Sequence, residues 1–362
     1  MLMGDMCCWV SFSTVSLNFL NMKIEKVALV VACYNEQPIL KEKIQNCLAL
    51  SYPEEKLDIV FVTDGSTDGS TDMLMQYPRL TVFHEPKRAG KRIAIERIMP
   101  MIDAPIIVLT DANSMLNSEA LNEIVKHYHD PKVGAVAGEK KVLAIGTGAG
   151  EGLYWRYESF LKKVDSHLFS VVGAAGELFS FRKELFVPLP SQTIIEDFAL
   201  SLSIVERGFK VAYEPNAWAE EKPSSNMAEE WKRKVRICAG GFREIVSYAR
   251  LFNVIKYPWL SYLLISHRVL RWAVVPFILP LLLLATYFLA NTDKMFQLFF
   301  ALQIITYLLA LVGVGLRHQT KLPFFIGIPF QFVMMNAAAY VGLVHYLRGV
   351  DHGVWKKIKR VE

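Results

Sequence analysis

Two adjacent carboxylates, Glu196 and Asp197, stand in the stretch TIIEDFAL, after a β-branched apolar pair and before residues patterned as an amphipathic helix. Acids in the first turn of a helix cap free backbone N–H groups and complement the helix dipole, which is a structural role. A helix N-terminus is also a rigid mount for a general base. The pair is therefore a candidate catalytic site whose role depends on the other polar residues of the chain.

Further polar residues follow apolar segments typical of strands. Asp64 follows LDIVFVT and begins the turn sequence DGSTDG, and Asp111 follows IIVLT two residues before Asn113. Such oxygens bind hard cations, although Asp-x-Asn also makes ordinary turns. The basic segment KRAGKR, residues 87–92, is either a solvated loop or a surface that faces phosphates. Acids that hold a metal and bases that neutralise a leaving diphosphate indicate a nucleotide-activated transfer.

The elements that must position these residues alternate between strand and helix patterns. VALVVAC and LDIVFVT read as buried parallel strands with a helix between them. This alternation predicts an α/β domain with a mostly parallel sheet, in which ligands bind beyond the carboxyl ends of the strands. The other predicted strands are 81–84, 106–110 and 133–137, and the predicted helices are 38–50, 91–99 and 118–128.

Several common sites have no support in the sequence. The chain contains no GxGxxG after the first strand, no P-loop, no HExxH and no GxSxG. Its five cysteines, at positions 7, 8, 33, 47 and 238, have neither metal-ligand spacing nor an even framework, which favours a reducing compartment. The net charge of +5 mostly reflects basic residues beside apolar segments, so nucleic acid is not an expected partner.

Hydrophobicity is concentrated in the last quarter of the chain. Apolar residues make up 52% of the sequence, and three segments, 272–290, 295–316 and 322–347, are long and apolar enough to cross a bilayer. Residues 251–271 contain Arg268 and Arg271 and are predicted to form an amphipathic helix at the membrane surface. The predicted divisions are an N-terminal segment 1–22, an α/β domain 23–250, this interface helix, a membrane domain 272–347 and a basic tail 348–362.

The basic residues predict two conflicting topologies. If the α/β domain is cytoplasmic, three crossings put the loop around Arg317 and Lys321 inside, as the positive-inside rule requires, but put the basic tail outside. Either one segment is re-entrant or the rule is broken in this chain. Residues 1–22 are neither a convincing signal peptide nor a clear span, so they represent a truncated membrane helix, or the true start is Met22.

The order of the motifs resembles the family 2 glycosyltransferases, in the membrane-integrated branch that includes cellulose, chitin and hyaluronan synthases. The motifs are VACYNE, VTDGSTDGS, LTDAN, GAAGELFSFRKELF, IIEDFALSLSIVERGFKVAYEP and EEWKRKVRICAGGF, followed by membrane segments. The resemblance implies a GT-A-like nucleotide-sugar domain, with a mostly parallel sheet, followed by an α-helical membrane domain. It also implies a nucleotide-sugar donor and Mg²⁺ or Mn²⁺ as cofactor.

Carried over by position, the resemblance assigns roles to individual residues. Asp197, with Glu196 beside it, matches the general base that deprotonates the acceptor, and Arg236 matches the arginine that stabilises the departing diphosphate. Asp111 and Asn113 match the metal-binding DxD. The residues implied to contact the donor are Ala32, Tyr34, Asn35, Glu36, Asp64, Lys91, Asp111 and Arg233.

Three departures from the family pattern bear on activity. Thr63 replaces the first of two acids before Gly-Ser, and Asn113 replaces the second acid of DxD, which lowers the charge available to a metal. The element that reads QxxRW in relatives is Arg233 to Ile237 here, without the Gln and without the Trp. That Trp accompanies the acceptor sugar in polymerising relatives, so its absence weakens the inference of a processive synthase.

The sequence as a whole predicts an inverting membrane glycosyltransferase that moves a sugar, from a UDP-linked donor, onto a glycan or lipid-linked acceptor in exopolysaccharide or envelope-glycan synthesis. Its expected location is the cytoplasmic (inner) membrane, in contact with the lipid bilayer and with the catalytic domain facing the cytoplasm. Two alternatives stay open: single-sugar transfer to a polyprenyl phosphate, and a non-catalytic partner of an active synthase. Nothing in the residues excludes an oligomer.

Overall fold

The structure is a computed structural model that describes residues 25–142, 149–222, 227–316 and 322–350. The predicted N-terminal segment 1–22, the basic loop at Arg317 and Lys321, and the tail beyond residue 350 lie outside the described residues. Within the described part, an α/β domain precedes a set of long apolar helices.

One mixed sheet of eight strands forms the centre of the described α/β domain. The strand order is β3-β2-β1-β4-β7-β6-β8-β5, and β1 pairs in parallel with β2 and β4. The strands are β1 Val27–Cys33, β2 Leu57–Asp64, β3 Leu80–Glu85, β4 Ile106–Asp111, β5 Ser114–Leu116, β6 Val133–Val142, β7 Leu178–Arg182 and β8 Lys210–Glu221.

Burial on both faces explains why the central strands are almost continuously apolar. Six of the seven residues of β1 are buried, and successive side chains enter two separate apolar clusters, one on each face of the sheet. Val30 and Val62 belong to one cluster, whereas Leu29 and Phe61 belong to the other. The helices of this part are α1 Gln37–Leu48, α2 Ser70–Met75, α3 Lys91–Ile98 and α4 Ala120–Lys126.

The sheet is less parallel than the alternating pattern predicts, because β7 is inserted antiparallel between β4 and β6. Short non-local strands of this kind leave no alternating βα signal in the sequence. The insertion matters for the site, since Leu178 at the start of β7 pairs with Thr110 near the end of β4. The residue before β7, Glu177, is therefore brought to the edge of the sheet where Asp111 lies.

Three further helices cover one side of this edge. They are α5 Ala149–Leu168, α6 Glu196–Glu206 and α7 Met227–Ser247. Close packing of α7 against neighbouring elements requires glycine at two adjacent positions. A Cβ at Gly240 would lie 2.7 Å from Ile195, and a Cβ at Gly241 would lie 2.3 Å from the ring of Trp272. α7 therefore contacts both the segment that starts α6 and the helix that contains Trp272.

Three helices are long and apolar enough to cross a membrane, as the sequence predicts: Pro258–Leu289, Lys294–Gly315 and Phe324–Leu347. The first consists of α8 Pro258–Leu264, a π-helical stretch Ile265–Val274 and α9 Val275–Leu289; the others are α10 Lys294–Gly315 and α11 Phe324–Leu347. Of the predicted interface helix 251–271, residues 258–271 form the start of the first span, whereas residues 253–257 are not helical. Pro276 follows the π-helical stretch, and its ring would clash with the carbonyl four residues earlier in a regular α-helix.

Candidate active site

A cavity of about 210 Å³ opens at the carboxyl ends of the central strands, between the sheet, α6, α7 and the first membrane helix. Parallel strands present their C-terminal residues at one edge, which is where α/β sheets bind ligands. Six of the residues predicted for catalysis or donor binding line this cavity: Lys91, Asp111, Glu196, Asp197, Arg233 and Arg236.

Asp197 lies in the first turn of α6, and its carboxylate faces the cavity. A Cβ at Gly176 would be 3.5 Å from Asp197 Oδ2, so the glycine-containing segment before β7 forms one wall beside this carboxylate. Burial raises the pKa of Asp197 to about 7, and the nearby carboxylates of Glu196 and Glu177 add to the increase. A carboxylate with a pKa near neutrality is suited to accept a proton from a hydroxyl.

The pKa of Glu177, the last residue before β7, is shifted in the opposite direction to that of Asp197. Burial alone would raise its pKa, but the ammonium of Lys140 lowers it to about 2. Lys140 pairs with both Glu177 and Glu221, and Glu221 Oε1 accepts a 3.0 Å hydrogen bond from Asn113 Nδ2. The buried network holds Glu177 ionised beside Asp197 and also holds the LTDAN turn.

Asp111, at the end of β4, contacts the ammonium of Lys91, the first residue of α3. Burial would lower the pKa of Lys91, but Asp111 and Glu196 raise it, so this lysine is a fixed cation at the cavity. Mg²⁺ is commonly held by one or two carboxylates together with substrate phosphates. Asp111 fits that arrangement, because its carboxylate already has a cation, the Lys91 ammonium, beside it. The side-chain amide of Asn113 instead donates a hydrogen bond to Glu221.

Arg233 and Arg236 lie one turn apart on α7 and both line the cavity. Arg233 forms two 3.0 Å hydrogen bonds to Glu230, which fix its guanidinium against the helix. Burial lowers the pKa of Arg236, an effect that the carboxylate of Glu196 opposes. Two guanidinium groups therefore face the same cavity as Asp111 and Asp197, and guanidinium groups suit phosphate recognition.

The residues predicted to contact a nucleotide form a second group at the ends of β1 and β2. Asn35, with a φ of 53°, accepts a 2.8 Å hydrogen bond at Oδ1 from the backbone N–H of Thr67. The backbone N–H of Glu36 donates to Ser70 Oγ at 3.1 Å. These bonds join the VACYNE loop to the DGSTDG loop, so two motifs that are distant in sequence form one surface.

Tyr34 and Asp64 connect the same surface to the KRAGKR loop. The guanidinium of Arg88 lies 3.5 Å from the centre of the Tyr34 ring. Asp64 accepts hydrogen bonds from the backbone N–H groups of Ala89 (3.0 Å) and Gly90 (2.6 Å). Its carboxylate therefore holds the KRAGKR loop in place. The predicted site residues that are not among the described residues lining the 210 Å³ cavity are Ala32, Tyr34, Asn35, Glu36, Asp64 and Asn113, although Ala32 pairs with Asp111 in the sheet.

The sequence does not predict several of the cavity residues. It places Arg268 and Arg271 in a membrane-surface helix, yet both line the cavity: Arg268 Nη2 donates to the carbonyl of Val172 at 2.9 Å, and Arg271 pairs with Glu158. Gly173 follows with a φ of 94°, a conformation that favours glycine, and a Cβ there would be 2.7 Å from Phe198. The motif GAAGE is a local signal for this turn. The paired acids and bases, by contrast, are far apart in the sequence, so no local motif predicts their contacts.

The fold is that of a GT-A-type glycosyltransferase domain attached to membrane-capable helices, and its cavity combines carboxylates with facing cations. A solved structure with this fold is the mannosyltransferase PcManGT from Pyrobaculum calidifontis, in complex with GDP-Man and Mn²⁺. Its TM-score is 0.69 at 22% identity, over 91% of this chain and 89% of the other.

The chain belongs to the glycosyltransferase family described as "Glycosyltransferase like family 2", whose model matches residues 25–240. This confirms the family that the motifs indicate. Homologous proteins include the poly-beta-1,6-N-acetyl-D-glucosamine synthase of Staphylococcus aureus strain COL, 26% identical over 229 residues, and that of Staphylococcus epidermidis, 23% identical over 232 residues. The alignments cover 60% and 61% of this chain and 55% and 56% of those synthases, so the chain spans about half the length of the curated relatives that it matches.

The raised pKa of Asp197 predicts an acidic limb near pH 7 in the rate of sugar transfer. A base works only when ionised, and below its pKa the ionised fraction falls about tenfold per pH unit. We expect kcat/KM for the acceptor, at saturating metal and donor, to rise with slope one up to a pH of about 7 and then to level off. Initial rates between pH 5.5 and 9 measure this profile.

Glu244 supplies the matched control for the pH profile. Burial also raises the pKa of this α7 carboxyl to about 7, but Glu244 is not among the described residues that line the cavity. Glu244→Gln should leave the limb in place. A limb that disappears in this variant, or a flat profile in the unsubstituted protein, would contradict the assignment of the titration to Asp197.

Proposed function

We propose that this glycosyltransferase inverts the anomeric centre as it moves a sugar from a UDP-linked donor to a hydroxyl of a glycan or lipid-linked acceptor. The observation that carries the proposal is that the Asp197 carboxylate and the Arg236 guanidinium line one cavity. A single displacement needs a base on the attacking side and positive charge on the leaving side. The two groups supply these two requirements.

The proposed reaction follows from the positions of the side chains. Asp197 accepts the proton of the acceptor hydroxyl while the hydroxyl oxygen attacks the anomeric carbon and the bond to the diphosphate oxygen breaks. Arg236, with Arg233 and Lys91, neutralises the charge of the departing diphosphate. Glu196 contributes to catalysis by raising the pKa of Asp197. Asp111, with Asn113 as a second oxygen donor, would hold Mg²⁺ or Mn²⁺, which supplies further positive charge to the diphosphate.

The nucleotide is proposed to occupy the surface formed by the VACYNE and DGSTDG loops. Tyr34 and Arg88 present a ring and a planar cation there, and both kinds of group stack on bases. Asn35 and Glu36 contribute backbone and side-chain polar groups, and Ala32 lies beside Asp111 in the sheet. Asp64 contributes through the KRAGKR loop that it holds.

A hydroxyl acceptor is favoured over a polyprenyl phosphate as the attacking group. A phosphate oxygen is already ionised at neutral pH and has no proton for a base to remove, whereas a hydroxyl requires one. The raised pKa of Asp197 is useful only in the second case. The names of the synthase homologues support exopolysaccharide or envelope-glycan assembly as the setting.

The catalytic domain is proposed to face the cytoplasm from the inner membrane. Basic residues accumulate on the cytoplasmic side of membrane helices. Arg250 and Lys256 precede the first membrane-capable helix, which begins at Pro258. The side of the membrane on which they lie is the side of the α/β domain.

Release of nucleoside diphosphate from a panel of sugar nucleotides tests the proposed function. We expect the purified protein, with Mn²⁺, to release UDP from one UDP-sugar at a rate at least tenfold above its rate with GDP-mannose. Product analysis should show the opposite anomeric configuration to that of the donor. A retained configuration would contradict the inverting mechanism, and release from GDP-mannose alone would contradict the proposed donor.

A further inference from the structure

A second cavity of about 460 Å³ adjoins the catalytic cavity on the membrane side. The two cavities have five wall residues in common: Trp155, Arg233, Ile237, Arg271 and Trp272. Because the same side chains face both spaces, the second cavity begins where the first one ends. A molecule that extends from Asp197 toward the membrane helices passes between these residues.

The junction of the two cavities carries aromatic rings suited to a sugar. Trp272 is buried, and its ring makes an edge-to-face contact with the ring of Phe198, the residue after Asp197. The two ring centroids are 5.9 Å apart. Trp155 faces the same junction from α5. Aromatic faces combine apolar area with fixed geometry, which suits the apolar face of a sugar ring. The junction is therefore suited to the saccharide end of an acceptor.

The second cavity is amphipathic. Its basic wall consists of Arg233 and Lys234 from α7 and Arg271 from the first membrane helix. Glu230 pairs with Arg233 and Lys234, and Glu158 pairs with Arg271, which fixes the three cations at the wall. Among the described residues that line this cavity, none is acidic. Arginine and lysine side chains held in this way recognise phosphate.

The second cavity is also lined by apolar side chains of the membrane-capable helices, beside the polar Asn336 of α11. Val275 lies in the first membrane helix, and Phe332 and Met335 lie on α11, two segments that are long and apolar enough to span a bilayer. A soluble glycan would gain nothing from these side chains, whereas a hydrocarbon chain would bury them. The path from the first cavity to the second therefore begins at Asp197, passes the aromatic and cationic residues that both cavities share, and ends at Lys234 and the apolar side chains.

We propose that the acceptor is a lipid-linked saccharide, whose sugar hydroxyl meets Asp197, whose phosphate meets Lys234 and Arg271, and whose hydrocarbon chain leaves between the first membrane helix and α11. This inference rests on the proposed function. The sugar hydroxyl loses its proton to Asp197, its oxygen bonds to the anomeric carbon, and the nucleoside diphosphate leaves with the electron pair of the broken bond. The lipid phosphate binds and does not react.

Three synthetic acceptors separate the contributions of sugar, phosphate and chain. They are a sugar joined through phosphate to farnesol, the same sugar phosphate without a chain, and the octyl glycoside without phosphate, each made with glucose, N-acetylglucosamine and mannose. We expect the KM of the farnesyl probe to be at least tenfold below that of both other probes. Equal KM values for the three probes would overturn the inference, as would transfer to soluble oligosaccharide alone.

Donor turnover distinguishes failure of this inference from failure of the proposed function. Sugar nucleotide is also hydrolysed when water replaces the acceptor, and nucleoside diphosphate release records that reaction. Release that depends on Asp197, with no transfer to the farnesyl probe, overturns the lipid-linked acceptor and leaves the glycosyltransferase mechanism in place. Absence of release from every sugar nucleotide overturns both.

A substitution that fills the second cavity tests its location. Met335→Trp places a large ring in the proposed path of the chain, and we expect the KM of the farnesyl probe to rise at least tenfold while the KM of the nucleotide sugar changes less than twofold. Leu308→Trp is the matched control, since Leu308 is 55% exposed on the outer side of α10 and should leave both values unchanged. An unchanged farnesyl KM in Met335→Trp would overturn the assigned path. The comparison of probes on the unsubstituted protein does not depend on the folding of either variant.

Discussion

Asp197→Asn is expected to lower kcat for sugar transfer by about 10³-fold, within the range for loss of a positioned general base. The substitution keeps the size and the hydrogen-bonding shape of the side chain in the first turn of α6, but the amide cannot accept the proton of the acceptor. In the proposed function, donor binding precedes this step and uses groups on other elements. We therefore expect the dissociation constant for the nucleotide sugar to change less than twofold, measured by titration calorimetry beside product formation.

Glu196→Gln is the matched comparison, because the two acids are adjacent and line the same cavity. If Asp197 is the base, Glu196→Gln removes only a neighbouring charge, lowers the pKa of Asp197 and moves the acidic limb of the pH profile downward. We expect less than a tenfold loss of kcat at pH 8. A larger loss in Glu196→Gln than in Asp197→Asn would assign the base to Glu196 instead.

Thermal unfolding separates loss of the base from loss of the fold. The folded-state pKa of Asp197, about 7, lies above its value in an unfolded chain, so protonation favours the folded protein. The stability contributed by protonation is present below about pH 4 and is lost as the pH rises to about 7. At pH 8 the ionised carboxylate therefore disfavours folding. Asp197→Asn should unfold at a temperature equal to or above that of the unsubstituted protein.

The residues that come together at the cavity are predictable where local patterns determine their position. Asp111 follows a buried apolar strand and Asp197 begins an amphipathic helix, so both lie at element ends that α/β sheets direct to one edge. Arg236 required the family resemblance, because a basic residue within a helix carries no signal of what it faces. The three helices long and apolar enough to cross a membrane are also predictable, since length and apolar composition are local properties.

The rest of the site depends on long-range contacts that no local pattern records. Glu177 reaches the cavity because β7 is antiparallel, and Lys140 reaches Glu177 from a different strand. The sequence suggested that Arg268 and Arg271 face a membrane surface, because charges in an apolar helix are costly in lipid. In the structure both arginines line the 210 Å³ cavity, where Arg268 donates to the carbonyl of Val172 and Arg271 pairs with Glu158.

Asp111→Asn is the substitution with the second largest expected effect. A carboxylate bound to a divalent cation contributes charge that an amide lacks, so the affinity for the metal–donor complex should fall. We expect the KM of the nucleotide sugar with 1 mM Mn²⁺ to rise about 50-fold, equivalent to about 2 kcal/mol. Titration of the donor with Mn²⁺ and with chelator measures the change for both proteins.

The chelator provides a prediction specific to metal binding. Without metal, the unsubstituted protein should bind the donor as weakly as Asp111→Asn does, and the variant should be insensitive to chelator. Lys91 contacts Asp111 directly, so a cation that binds Asp111 alone must compete with this ammonium. Metal binding should therefore be weak without donor and strengthened by its phosphates. Donor binding that ignores both chelator and the substitution would remove the metal from this site.

Asn113→Ala decides how many ligands the LTDAN turn contributes. Asn113 donates to Glu221, which in turn pairs with Lys140, so its amide is already bonded within the buried network that holds Glu177. If Asp111 is the main ligand, Asn113→Ala should raise the Mn²⁺ concentration required for half-maximal activity less than threefold, far below the effect of Asp111→Asn. If the two substitutions have equal effects, both side chains bind the cation, and Asn113 must exchange Glu221 for the metal when the donor binds. The ratio of the effect of Asn113→Ala to that of Asp111→Asn thus shows whether Asn113, at the position of the second acid of the family motif, acts as a metal ligand or as a structural contact.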